Sequence, residues 1–90
     1  MNNLDFHIVG LGNLGSAFLK GLINLDKNLT FHLYEKEPKV MESIKEEFNF
    51  DVKNEIDVIE SGILLLCIKP KDLNKFLDTN KDKILKDVLI

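Results

Sequence analysis

The pattern Gly10-Leu11-Gly12-Asn13-Leu14-Gly15 constrains this chain more than any other stretch of it. It follows a short apolar run, Phe6 to Val9, and opens a segment with helical periodicity, Asn13 to Leu25. There Leu14, Phe18, Leu22 and Leu25 fall at intervals of 4, 4 and 3, which predicts one apolar helix face flanked by Ala17 and Gly21. Three glycines so placed answer three steric needs. Gly10 permits a tight turn out of the strand, and Gly12 removes a side chain where a ligand must reach the backbone. Gly15 lets the helix lie close against the strand.

The rest of the chain repeats the alternation of strand and helix. Leu29 to Tyr34 alternates apolar and polar residues and predicts a second strand. Pro38 suits the first turn of a helix with Val40, Met41, Ile44 and Phe48 on its apolar side. A short strand over Phe50 to Lys53 and a short helix around Glu55 to Ser61 follow. Ile63 to Ile68 is an unbroken apolar run, the profile of a strand buried on both faces of a parallel sheet. Pro70 then starts a helix carrying Leu73, Phe76 and Leu77, and Ile84-Leu85 with Val88 to Ile90 reads as the approach to a fifth strand. The order βαβαβαβαβ predicts a Rossmann-type, doubly wound parallel sheet of the α/β class, a three-layer αβα single domain over residues 1–90. The last apolar run has no polar terminus, so it reads as an unfinished strand and the 90 residues as the front part of an enzyme.

Composition narrows the partners. With 44% hydrophobic residues the chain is not a disordered tail, and it contains no apolar run near the ~20 residues of a bilayer span. Met1-Asn2-Asn3 has no signal-peptide character. Cys67 is the only cysteine, which excludes an internal disulfide and a thiolate metal cluster and makes a reducing cytoplasm the expected setting. A net charge of −3 argues against a nucleic-acid or anionic-membrane surface. All 12 basic residues are lysines, so an anion must be held by backbone N–H groups, hydroxyls, amides or lysines, never by a guanidinium fork.

Between a strand and a helix, the glycine motif predicts a dinucleotide whose diphosphate faces the helix N-terminus. Glu35 lies 20 residues beyond Gly15, at the end of the second strand, where an acid accepts hydrogen bonds from the adenosine ribose and favours NAD. Lys36 and Lys39 could neutralise a 2′-phosphate and leave NADP open, although Lys39 alone reads as a solvated charge. Cys67-Ile68-Lys69-Pro70 ends the most buried strand, at the sheet edge where cofactors lie in such folds. His7 and His32 read as isolated strand residues, Cys67 as a small apolar group, and Lys81-Asp82-Lys83 as a solvated face. No residue is assigned to catalysis or to a metal.

These elements resemble the N-terminal domain of pyrroline-5-carboxylate reductase. Val9 to Ala17, V-G-L-G-N-L-G-S-A, matches that family's I-G-x-G-N-M-G-x-A with Leu14 in place of Met. Tyr34-Glu35-Lys36-Glu37-Pro38 parallels its Y-D-R-N-P-like turn, with Lys36 for the frequent arginine and Glu37 for a neutral residue. Cys67 to Pro70 parallels its A-V-K-P, and Asn54 falls where the family places an asparagine near the adenosine half of the cofactor. The resemblance implies a cytoplasmic reductase that uses NADP or NAD to convert 1-pyrroline-5-carboxylate to proline. It also implies a helical second domain, which builds a homo-oligomer and supplies the contacts to the imine substrate. Without that domain the 90 residues are expected to be inactive. Related readings are the cofactor domain of an F420-dependent NADP reductase or of a 6-phosphogluconate or hydroxyacid dehydrogenase relative. A nucleotide-sensing module is the reading outside enzymes.

Overall fold

A computed structural model describes residues 5–25, 29–59, 61–84 and 88–89. Five parallel strands form one sheet in the order β3-β2-β1-β4-β5. They are β1 (Asp5–Val9), β2 (Thr30–Tyr34), β3 (Val52–Lys53), β4 (Gly62–Leu66) and β5 (Val88–Leu89). Helices α1 (Asn13–Leu25) and α2 (Pro38–Phe48) link the first three strands, and α3 (Pro70–Asn80) follows β4. The predicted doubly wound α/β fold is the one observed.

Alternation along each strand divides the core between the two faces of the sheet. Ile8 and Leu33 point to one face, where they pack with Leu19 of α1 and Ile44 of α2. Val9, Tyr34 and Leu64 point to the other, where Ile56, Ile59 and the half-buried Phe76 of α3 cover them. Two helices on one side and one on the other make the three layers. Leu64 of β4 is completely buried and its strand neighbours are half-buried, so that strand is less enclosed than its composition predicts. The cause is a thin second layer, since no residue of α3 is buried.

Two expectations about helices need correction. The buried face of α1 consists of Gly15 and Leu19, with Leu22 and Ile23 packed beside them. Leu14, Phe18 and Leu25 are instead 60%, 45% and 78% exposed. The close approach of Gly15 to the Gly10 carbonyl at the end of β1 sets the rotation of the helix, and the residues four, seven and eight positions further on, Leu19, Leu22 and Ile23, follow it onto the sheet. The second correction is the absence of a helix over the described part of 55–61. Ile59 donates its N–H to the Lys83 carbonyl at 2.6 Å and bridges Ile84 in parallel, which commits its backbone to an extended partner. Ile56 and Ile59 enter the core from this irregular crossover. Leu85, Ile90, Glu60, Asp26 to Asn28 and the first four residues, which carry other expectations, lie outside the described residues.

The two histidines are not isolated. Parallel register sets His7 directly beside His32, and their rings stack with centroids 4.5 Å apart. His7 Nε2 lies 3.2 Å from the Ser61 carbonyl, while its buried Nδ1 has no partner. Burial, and then the neighbouring His32, push the His7 pKa below its ordinary 6.5, against the smaller opposing pulls of the Ser61 carbonyl and Asp5. A group whose folded pKa is depressed favours the folded state in its neutral form. Its contribution is complete above about pH 6.5 and is lost as the pH falls below that value. The urea midpoint is therefore expected to drop between about pH 7.5 and pH 5.5, with a shallower drop in His7→Leu. An equal pH slope in the two proteins would remove His7 as the cause.

Candidate cofactor site

Four strand ends converge at the carboxyl edge of the sheet. Gly10 leaves β1 at φ +93°, a left-handed conformation open to glycine, and donates its N–H to the Tyr34 carbonyl at 2.9 Å. A side chain there would meet the Cys67 carbonyl oxygen at 2.6 Å and Ile68 Cγ2 at 2.9 Å. The turn after β4 is thus seated on the glycine loop. Cys67 also donates its N–H to the Val9 carbonyl at 2.8 Å, which extends the β1–β4 ladder to the site. Burial raises the Cys67 thiol pKa, so it is a packing group and not an activated thiolate.

Gly12 and Gly15 differ in kind. A Cβ at Gly15 would overlap the Gly10 carbonyl oxygen, so this glycine is required by the crossing of α1 over the loop. A Cβ at Gly12 would meet nothing within 4 Å. The space it leaves faces outward, beside the first turn of α1, where Asn13 and Leu14 are exposed and no acidic residue is present. By helix geometry the first N–H groups of α1 have no acceptor inside the helix. An open backbone facing a helix N-terminus without carboxylates fits a diphosphate.

Glu35 ties this loop to the end of β2. Its Oε1 accepts the Leu11 N–H at 2.6 Å and its Oε2 accepts the Glu37 N–H at 3.0 Å. Its own N–H reaches the Lys53 carbonyl at 2.8 Å, linking the end of β3. The structure therefore joins the glycine loop, Glu35 and the Cys67-Ile68 segment through direct contacts. Lys36, Asn54, Lys69 and Pro70 stand exposed on the same edge, with Lys69 as N-cap and Pro70 in the first turn of α3. Between α1 and α2 runs a groove of about 280 Å³ lined by Gly12, Asn13, Ser16, Lys39, Ser43 and Glu47, among others. Lys39 and Ser43 are one helical turn apart, a spacing that sets both on one face.

A family model described as "NADP oxidoreductase coenzyme F420-dependent" matches residues 5–90. The chain belongs to this family. It is an NAD(P)-binding oxidoreductase domain, with the glycine loop at the point where that fold binds dinucleotides. No curated protein and no solved structure matches the chain significantly. Among the described residues, no group of three or more His, Cys, Asp or Glu gathers where it could hold a metal ion. Nor is any helix among them long and apolar enough to cross a membrane.

Proposed function

We propose that this chain is the cofactor-binding domain of a pyrroline-5-carboxylate reductase, in which NADPH or NADH reduces the cyclic imine to proline. The reading rests above all on the seating of Cys67 and Ile68, the first half of the Cys67-Ile68-Lys69-Pro70 turn, against Gly10. That contact links the two motifs whose combination is more specific than the glycine pattern alone. When bound, the nicotinamide supplies a hydride. The residues named here bind and orient it: Gly12 to Gly15 receive the diphosphate, and Glu35 holds the loop at the adenosine ribose. Asn54 and Lys36 flank the adenosine half, and Cys67 to Pro70 border the cofactor on the other side. The acid and the substrate contacts are assigned to a second domain, through which the protein forms a homo-oligomer.

A second reading, an F420-dependent NADP reductase, is favoured by the description of the family. One assay separates the two. The protein in its full encoded length is expected to oxidise NADPH on addition of 1-pyrroline-5-carboxylate, followed at 340 nm. Turnover with F420, followed at 420 nm, and none with the imine would replace the first reading by the second. Turnover with neither would remove both.

A further inference from the structure

Helix α1 carries two apolar stripes, and the sheet uses only one of them. Gly15, Leu19, Leu22 and Ile23 face the core. Ser16 and Lys20 mark the flank turned to α2, since Ser16 lines the groove between the two helices and Lys20 pairs with Glu47 at 3.1 Å. At about 100° per residue, Leu14, Phe18 and Leu25 fall on the opposite flank. Gly21 lies among them, with no atom within 4 Å of where a Cβ would stand. Leu14, Phe18, Gly21 and Leu25 follow one another at intervals of 4, 3 and 4, the spacing at which one helix packs along another.

The sheet continues under that flank. β1 has β2 on one side and β4 on the other, and α2 links β2 to β3, so the flank away from α2 overhangs β4. Register puts Leu65 of β4 beside Ile8 and Ile63 beside Phe6, on the sheet face that α1 covers. Both β4 residues are only half-buried. Helix α3 goes to the other face, where Phe76 packs with Leu64. Among the described residues, then, no helix covers this side of β4. The exposed flank of α1 is the wall and β4 the floor of an apolar recess, and none of these residues carries a charge.

The recess is one helix wide. Its wall, the 13-residue α1, is about 20 Å long. A stable pair of free proteins buries about 800 Å² on each side, well beyond a strip about 20 Å by 10 Å. A second copy is also a poor fit, because its own Leu14, Phe18 and Leu25 are sunk in the same corner, and two recesses do not interlock. A protruding helix on the same polypeptide meets both conditions. It has the shape of the gap, and its tether supplies an effective concentration at which a small contact suffices.

We propose that the recess between α1 and β4 seats one amphipathic helix of the second domain, laid along α1 with uncharged apolar residues at every third and fourth position. The proposal rests on the reading that a second domain belongs to the same polypeptide. Thiol accessibility in the protein in its full encoded length, free of cofactor and substrate, tests it. Phe18→Cys and Leu25→Cys are compared with Asn24→Cys, an exposed position on the outward side of α1. Peptide mass spectrometry separates each label from any on Cys67, and a thermal melt checks folding. Phe18→Cys and Leu25→Cys are expected to react with a maleimide at least about tenfold more slowly than Asn24→Cys. In the same protein Leu25→Asp is expected to lower Tm by about 5 °C or more, and Asn24→Asp by no more than about 2 °C. Equal labelling rates at the three positions, or equal falls in Tm for the two aspartates, would overturn the proposal. Slow labelling that quickens as the protein is diluted would overturn it in favour of a second copy. Turnover of the imine with equal labelling rates would leave the reductase reading standing and remove this one. Slow labelling without turnover would support the seated helix and remove the reductase.

Discussion

Gly12→Val is expected to abolish dinucleotide binding, a loss of at least ~100-fold in affinity, while the chain remains folded. The two halves of this outcome have separate causes. A Cβ at residue 12 meets no heavy atom within 4 Å, so the fold has room for the new side chain. The Gly12 carbonyl accepts the Ser16 N–H at 3.0 Å, the first i→i−4 bond of α1, which makes Gly12 its N-cap. Valine is a poor N-cap, which costs about 1 kcal/mol or less relative to glycine. The same open space is where the diphosphate has to approach the backbone, and an isopropyl group there blocks the approach. Calorimetric titration with NADP and NAD, beside a thermal melt, reads both effects. Unchanged affinity would remove the glycine loop as the site.

The second large effect has the reverse signature. Gly15→Ala is expected to destabilise the fold by about 3 kcal/mol or more, because the added methyl overlaps a backbone atom that cannot yield. That atom, the Gly10 carbonyl oxygen, belongs to a residue fixed by its own N–H bond to Tyr34 and by contact with Cys67. For a domain of this size the corresponding fall in Tm is roughly 12–24 °C. Binding then fails as a consequence of unfolding, not of a blocked site. A Tm within about 3 °C of the unmodified chain would show that α1 can move away from the loop after all.

The sequence carried the topology and most of the edge, because both follow from local chemistry. Pro38 and Pro70 mark helix starts that are found where they predict, and the glycine loop fits its strand–helix context. The rotation of α1 was less legible. Leu14, Phe18 and Leu25 make an apolar stripe as regular as the one that is buried, and periodicity alone cannot choose between two stripes on one helix. Gly15 held the decisive signal: a glycine that must touch the loop leaving β1 places Leu19 and Leu22 on the sheet. The crossover failed for a different reason. Ile56 and Ile59 have helical spacing, but the Lys83 carbonyl, more than twenty residues further on, claims the Ile59 N–H. No local pattern records such a bond.

The unequal roles of the three glycines bear on how such motifs endure under mutation. Gly10 and Gly15 answer to the chain's own backbone, whereas Gly12 answers only to what lies outside it. Purifying selection for folding would keep the first and third glycines in a descendant that had given up its cofactor, and would leave the middle position free to drift. Inherited intact, the outer pair testifies to ancestry of the fold. The middle glycine is the one that testifies to continued use.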